Sequence, residues 1–154
     1  MAQSTISVLS FLVDNKTFCL EIEVIDHVIN ACAVSALPEV SPAVEGIINV
    51  RGRIMPVINM GVKCLGRSLP LLITDKFIII FVSNHYLALH VTDTLEIFSL
   101  KSDAITDVDT VLPGLSVVRG IIKINQDLSL LYNPDKFFKT EMNVNSDLIE
   151  GALV

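Results

Sequence analysis

An internal repeat is the sequence feature that most constrains the fold of this chain. The segment GIINVRGRIMPVINM, residues 46–60, aligns without gaps on GIIKINQDLSLLYNP, residues 120–134, at an offset of 74 residues. Upstream, LVDNKTFCLEI, residues 12–22, aligns with FVSNHYLALHV, residues 81–91, at an offset of 69 residues. In both cases one hairpin pattern aligns on another, so we interpret the two halves as versions of one structural unit.

Each half contains short segments rich in Val, Ile and aromatic residues, separated by turn residues. A unit of about five short strands buries its faces and removes its edges by curling into a small barrel. The sequence therefore predicts a mostly β protein of two five-stranded barrels, with a groove between them and one or two short helices. The predicted strands are residues 6–13, 17–22, 24–29, 46–50, 53–58, 76–82, 86–91, 95–100, 117–124 and 128–132.

Helical signal is concentrated near the C-terminal end. Asn133 is a predicted N-cap, Pro134 stands at the first helical position, and Asp135 follows near the positive end of the helix dipole. Residues 31–45 and 101–115 are predicted loops, the first with a helical turn at 43–45, and residues 61–74 are the predicted crossing between the halves. For the tail after residue 141, both a further helical turn and a frayed end stay open.

Composition bounds the functional class. The chain has 154 residues, enough for one domain, and is 51% hydrophobic and 18% charged, which leaves apolar surface for partners. Its formal charge of −6 and its 11 scattered basic residues argue against binding to nucleic acid or anionic lipid. The longest apolar runs are too short to span a membrane and the N-terminus lacks a secretory pattern, so we expect a cytoplasmic location.

Residues that could perform chemistry are few. Cys19, Cys32 and Cys64 lie on apolar stretches without a CxxC pair, so they are predicted to be buried, reduced thiols. The acidic run at 101–110 lacks the ligand spacing and glycine of a calcium loop, and it is interpreted as a solvated loop.

The histidines show no metal-ligand or catalytic spacing. His27, His85 and His90 have no second ligand at helical or strand spacing and are interpreted as structural or solvated. No phosphate loop, hydrolase or metalloprotease motif is present, so neither enzymatic activity nor a metal or cofactor is predicted. A hydrolase or small-ligand barrel with an unrecognised site remains an alternative.

The first repeat segment carries a charge at its centre. Arg51-Gly52 separates two Val/Ile-rich stretches, which predicts a hairpin with Arg51 at its tip. Alone, such an arginine is interpreted either as a solvated turn residue or as a contact for another molecule. Gly46, Gly52 and Gly120 are interpreted as structural turn glycines.

The motif formed by Gly46, Asn49-Val50-Arg51-Gly52 and the Pro56-containing strand resembles the signature of CheW-type chemotaxis coupling proteins. The resemblance extends from FLVDNKTFCLEI to GIIKINQDLSLLYNPDKFF. It implies one CheW-like domain over residues 1–154, built from two intertwined, non-catalytic SH3-like barrels. Subdomain one would cover about 12–65 and subdomain two about 76–132, with the N-terminal strand and C-terminal helix packing across them.

The resemblance also implies an adaptor role and a set of contacts. Such proteins link the cytoplasmic tip of a methyl-accepting chemoreceptor to the regulatory domain of a CheA-like histidine kinase, in arrays anchored at the membrane. By that similarity, the groove and the edge of the first barrel would bind the receptor. The expected receptor-binding residues are Ile25, His27, Val28, Asn49 and Arg51, whereas kinase-binding residues are not identified.

Two departures from the family pattern suggest a divergent member. His27 stands where the family usually has a glutamate that can pair with the motif arginine, and Asp26 is expected on the opposite strand face. Arg51 is therefore expected to be unpaired. ALHVTDT, residues 88–94, also differs from the family's Gly-Leu-x-Val-Asp-x-Val. A coupling protein with its own receptor, a non-flagellar array, and a scaffold outside chemosensing all stay open.

Overall fold

The computed structural model describes residues 4–38, 40–114, 117–124 and 126–142. All ten predicted strands are confirmed, each with ends within two residues of the prediction, and the mostly β fold class is correct. The strands are β1 Thr5–Val13, β2 Lys16–Glu21, β3 Ile25–Asn30, β4 Val44–Val50, β5 Arg53–Asn59, β6 Lys76–Val82, β7 His85–Val91, β8 Asp93–Lys101, β9 Ile105–Asp107, β10 Val118–Ile124 and β11 Asp127–Tyr132, and the helices are α1 Met60–Leu65 and α2 Pro134–Phe137.

The strands form two sheets. The five-stranded sheet has the order β3-β6-β7-β5-β4, and the six-stranded sheet has the order β8-β1-β2-β11-β10-β9. In the five-stranded sheet, Ser35, just after β3, exchanges two backbone hydrogen bonds of 2.9 and 3.0 Å with Ile47 of β4. This pairing joins the chain after one edge strand to the other edge strand, as closure into a small barrel requires.

Each sheet takes strands from both halves of the chain. The β1-β2 hairpin joins β8–β11, whereas the β6-β7 hairpin joins β3–β5. The contiguous subdomains expected at about 12–65 and 76–132 therefore do not correspond to the two sheets. Hairpin exchange is the reason: the second strand of each exchanged hairpin pairs in parallel with the last strand of the other half, as β2 does with β11 and β7 with β5.

Three connecting segments differ from the predictions. The predicted loop 101–115 contains the short strand β9, and the predicted crossing 61–74 begins with α1. The expected helical turn at 43–45 is wrong, because Val44 already belongs to β4, where it pairs with Ile58. The tail after residue 142 lies outside the described residues.

Each repeat segment has an Asn as its second-last residue, and a helix begins directly after it. Asn59 accepts hydrogen bonds from the N–H groups of Gly61 and Val62, and therefore caps α1. Asn133 occupies the predicted N-cap position of α2, with Pro134 in the first turn, although its side chain makes no capping hydrogen bond. The sequence repeat thus extends beyond the hairpins to the start of a helix.

The hydrophobic core has three parts. One cluster fills the five-stranded sheet around Phe77 and Ile79, a smaller one fills the six-stranded sheet around Val8 and Ile122, and the largest packs between the sheets around Phe11. The largest cluster draws residues from both sheets and from both helices. Because this largest cluster is continuous across both sheets, the two sheets share it. Neither sheet therefore has a complete core of its own.

The cysteines only partly follow the prediction. All three are free, but Cys32 is exposed and Cys64 is half-buried, so only Cys19 is a buried thiol. Residue 32 lies in the connection after β3, at the edge of a surface cavity that it lines with residues 71–73. Burial raises the pKa of the Cys64 thiol to about 12, against a smaller lowering by its hydrogen bond with Tyr132, so this thiol stays protonated.

Close approach by a neighbouring segment explains two of the three glycines. Gly46 and Gly120 lie inside β4 and β10 at register shifts, and not in turns. A Cβ atom on Gly46 would overlap the carbonyl of Ser35, and one on Gly120 would overlap the side chain of Ile105. Gly52 does lie in a turn, with a φ of 87° and open space around it.

We expect Gly46→Ala to lower the free energy of unfolding by at least about 2 kcal/mol, because it combines a φ of 151° with a backbone overlap that cannot rotate away. Gly52→Ala is the matched control, since it adds only left-handed strain of about 1 kcal/mol. Urea denaturation of both variants measures the difference. Equal losses would show that the pairing of Ser35 with Ile47 does not constrain residue 46.

Candidate functional site

The tip of the β4-β5 hairpin is a two-residue turn with left-handed backbone. Arg51 has a φ of 53° and Gly52 a φ of 87°, and Val50 pairs with Arg53 on either side. Positive φ at both central residues is the type I′ pattern, which favours Asn-Gly or Gly-Gly. The side-chain Oδ1 of Asn49 accepts a 2.7 Å hydrogen bond from the Gly52 N–H and fixes the turn.

The hairpin tip borders a cleft of about 680 Å³, which we call the Arg51 cleft. Residues 50–53 form one side, Asp26 and His27 of β3 form the other, and Met55 and Ile79 lie at the base. The pairing of β3 with β6 shifts register between Ile25 and His27. The expectation that Asp26 points away from His27 is wrong, because both side chains line this cleft and are joined by a hydrogen bond.

Asp26 and His27 form a pair within the Arg51 cleft. The Asp26 carboxylate lies 2.6 Å from Nδ1 of His27, so this nitrogen donates the hydrogen bond. The other ring nitrogen, Nε2, is buried and has no hydrogen-bond partner among the described residues. The carboxylate that lines the cleft with Arg51 is thus engaged with histidine, and Arg51 makes no ion pair with any residue that the structure describes.

The four arginines divide into two kinds. Arg67 pairs with Asp14, and Arg119 pairs with Glu21. Arg51 and Arg53 both line the Arg51 cleft, and neither has a carboxylate within ion-pair distance in the described part of the chain. The Arg53 guanidinium lies 3.8 Å from the centre of the Tyr86 ring, which is cation–π geometry.

The five residues expected to bind a receptor do not form one surface. His27 and Arg51 line the Arg51 cleft. Ile25 is half-buried against the core between the sheets, and Asn49 supports the turn. Val28 is 39% exposed but follows His27 on the strand, so its side chain lies on the other face.

The sequence interpretation missed two aromatic side chains beside the cleft, Tyr86 and Phe81. Tyr86 of β7 lies beneath Arg53, and its ring centre is 4.5 Å from that of Phe81, which is 42% exposed. Arg53 is the first residue of β5 and directly follows the turn that carries Arg51, and this closeness in sequence could have drawn attention to it. Tyr86 has no such local signal, because the pairing of β5 with β7 decides its position.

A second group of polar side chains lies in the interior of the five-stranded sheet. His90 is fully buried, its Nε2 lies 2.6 Å from Asp75, and its Nδ1 contacts Glu45. Burial alone lowers the pKa of His90, but the hydrogen bonds and charges of Glu45 and Asp75 outweigh it and raise this pKa. Asn59 also donates a 2.8 Å hydrogen bond to Glu45.

This acid–histidine–acid group is structural in its geometry. Both ring nitrogens are engaged by carboxylates, so no nitrogen is left to accept a proton from a substrate. His90 has no exposed surface. Among the residues that the structure describes, no three His, Cys, Asp or Glu side chains could hold a metal ion, and no helix is long and apolar enough to cross a membrane.

Residues 7–142 match the family model of the CheW-like domain. The chain belongs to the CheW-like domain family. A curated relative, the chemotaxis protein CheW of Thermotoga maritima, is 41% identical over 61 residues, which are 40% of this chain and 40% of that protein. The similarity in sequence to this relative therefore spans less than half of either chain.

A solved structure is similar to this protein over most of the length of both chains. The scaffolding protein TtCheW from Thermoanaerobacter tengcongensis superposes with a TM-score of 0.78 over 88% of this chain and 94% of that chain, at 21% identity. At this identity the match establishes the fold, with its two SH3-like subdomains, and leaves the function to be argued from the site.

The His90 group predicts a pH-dependent stability of this CheW-like protein. Because the pKa of His90 is raised on folding, its contribution is complete below the ordinary value of about 6.5 and is lost as pH rises through the folded value. We expect the urea-derived free energy of unfolding to fall as pH rises above about 6.5. His90→Gln should weaken this dependence.

If His90→Gln does not fold, nitrogen NMR of the natural chain still tests the idea. The His90 ring should titrate at a higher pH than the ordinary histidine pKa of about 6.5. Titration at or below that ordinary value would contradict the assignment.

Proposed function

We propose that this protein is a non-catalytic adaptor that couples the cytoplasmic tip of a chemoreceptor to a CheA-like histidine kinase. The observation that carries the proposal is the Arg51 cleft, where the two arginines without a carboxylate partner lie together. Membership of the CheW-like domain family supports the adaptor class. The name of the Thermotoga relative supports a place in chemotaxis.

The backbone of Arg51 favours a binding role over a solvated turn. For a residue other than Gly, Asn or Asp, the left-handed conformation at a φ of 53° costs about 1 kcal/mol or more of conformational free energy. Asn would fit the type I′ turn better. An arginine at this position therefore weakens the hairpin slightly, and binding to a partner accounts for its presence.

The cleft has the chemistry to receive a carboxylate on a helical surface. Arg51 can donate two parallel hydrogen bonds to a carboxylate, and it has no carboxylate partner among the described residues. Met55 and Ile79 give the cleft an apolar base, and Phe81 extends this apolar area outside it. A helical receptor tip with glutamate beside aliphatic residues matches this arrangement.

The proposed kinase contact and the proposed cellular location of the protein rest on family membership. The Arg51 cleft supports the receptor contact only. The partner is the regulatory domain of a CheA-like kinase, and recruitment to membrane-anchored receptor arrays follows from receptor binding. A scaffold on the same fold outside chemosensing is the alternative, distinguished by a failure to bind either partner.

We expect Arg51→Asn to lower receptor affinity by roughly tenfold to a hundredfold, because a charge-assisted hydrogen bond is lost. The same change should leave the melting temperature equal or higher, since Asn relieves the strain at this turn. Titration with a soluble receptor fragment and thermal unfolding measure the two effects. Arg51→Glu should lower affinity further by repelling the receptor carboxylate.

Lys101→Glu is the matched control for Arg51→Glu. It reverses an exposed cation on β8, away from the cleft, with the same change in net charge. Its receptor affinity should equal that of the natural chain. A loss of folding with Arg51→Asn would assign Arg51 to structure, and unchanged affinity would refute the proposed site.

We expect the natural chain to co-purify with a CheA-like kinase regulatory domain, and Arg51→Asn to keep this interaction. The reason is that the receptor contact and the kinase contact lie on separate surfaces in the proposed adaptor. Affinity capture with the isolated regulatory domain, followed by addition of the receptor fragment, measures both. Absence of kinase binding would favour a scaffold outside chemosensing.

A further inference from the structure

The two arginines of the Arg51 cleft lie close together along the chain, one on each side of Gly52. Both are exposed and both line the cleft. Two residues of extended chain span at most about 7 Å. On a helix, side chains three or four residues apart start about 5–6 Å from each other. The backbone spacing of the two arginines therefore matches two carboxylates one helical turn apart.

The acid that lines the cleft leaves both arginines free to bind a partner. Asp26 lies 2.6 Å from Nδ1 of His27 and forms its hydrogen bond there. Neither Arg51 nor Arg53 has a side-chain hydrogen bond or an ion pair with any residue that the structure describes. Each guanidinium group can therefore give two parallel hydrogen bonds to a carboxylate of another molecule.

An aromatic ring holds Arg53 in place. The guanidinium carbon lies 3.8 Å from the centre of the Tyr86 ring, and Tyr86 is itself half-buried against the cluster around Phe77 and Ile79. The ring occupies one face of the guanidinium group, whereas the N–H donors point outward in the plane of that group. Arg53 therefore loses less side-chain freedom on binding a carboxylate than a fully solvated arginine would.

An exposed apolar ring adjoins this stack. Phe81 pairs with Tyr86 across the β6-β7 hairpin, and the two ring centres are 4.5 Å apart. Met55 and Ile79 at the base of the cleft are almost completely buried, whereas Phe81 is 42% exposed. A partner that carries an aliphatic side chain beside its acids would bury the Phe81 ring while it binds the arginines.

We propose that the Arg51 cleft recognises two carboxylates one helical turn apart on the receptor tip. Arg51 binds one, Arg53 binds the other, and Phe81 packs against an aliphatic residue of the same helix. Tyr86 is a positioning residue, because it acts through Arg53. This inference rests on the proposed function and adds the spacing by which the protein selects a receptor. Two acids two residues apart do not share a helix face, so such a tip would pair with one arginine only.

Titration with a soluble fragment of a chemoreceptor tip measures the contribution of Arg53. Arg53→Gln should weaken binding roughly tenfold and flatten its dependence on sodium chloride, because one charge-assisted pair is lost. Arg53→Lys should also weaken binding, since an ammonium group lacks the planar fork of guanidinium. Lys101→Gln removes an exposed cation of β8, outside the cleft, and is the matched control that should bind like the natural chain.

Tyr86→Leu tests the positioning role. It should weaken binding about threefold in the natural chain, because the cation–π contact is lost. In the Arg53→Gln chain it should have no further effect, since Tyr86 acts through Arg53. Tyr86→Phe keeps the aromatic ring and should bind like the natural chain. Equal losses from Tyr86→Leu in both chains would assign Tyr86 to structure alone and would contradict the positioning role.

A glutamine scan of the acids on the receptor fragment tests the spacing. Two acids three or four residues apart should each contribute to affinity. Replacement of one should lose its effect against Arg51→Asn, and replacement of the other should lose its effect against Arg53→Gln. Thermal unfolding verifies that each variant is folded.

The same measurements separate this inference from the proposed function. Unchanged affinity of Arg53→Gln, or a contributing acid pair at another spacing, would overturn the inference while Arg51 remained the receptor contact. Absence of receptor binding by the natural chain would refute the proposed function, and the inference with it.

Discussion

Parallel strand pairing between the two halves of the chain is the interaction on which the whole structure depends. Val57 of β5 pairs with Ala88 of β7, and Leu131 of β11 pairs with Cys19 of β2. The offsets of 74 and 69 residues convert one pair into the other. The duplication therefore preserved the contact through which each half completes the sheet of the other, and hairpin exchange makes the two sheets inseparable.

Ion pairs reinforce the exchange at equivalent places. Glu45 on β4 contacts His90 on β7, and the corresponding residues on β10 and β2, Arg119 and Glu21, also form an ion pair. The acid and the base have changed sides between the copies. His90 is buried and is bound on its second nitrogen by Asp75, whereas Arg119 is partly exposed. Such a reversal keeps the attraction while the surrounding residues diverge, because a pair depends on opposite signs and not on which strand carries the acid.

The sequence predicted strands better than it predicted their partners. The alternation of Val and Ile with turn residues located ten strands, but membership of a sheet depends on which edges meet in space. Asn59 carried a helix-capping signal that the sequence interpretation did not use. It aligns with Asn133, whose N-cap role was predicted, yet residues 61–74 were interpreted as a crossing. By contrast, no local pattern marks β9, which forms because β10 offers it an edge.

For the site, the sequence by itself determined the hairpin, its tip and the arginine there, because a reversal with Arg51-Gly52 between two β-branched stretches is local information. Only the tertiary structure decided which side chains share the cleft. The cleft brings Asp26 and His27 of β3 to the β4-β5 hairpin tip, the packing between the sheets half-buries Ile25, and the exchanged β6-β7 hairpin placed Tyr86 under Arg53. These arrangements depend on segments that are distant along the chain, and strand register, which no single segment encodes, sets their positions.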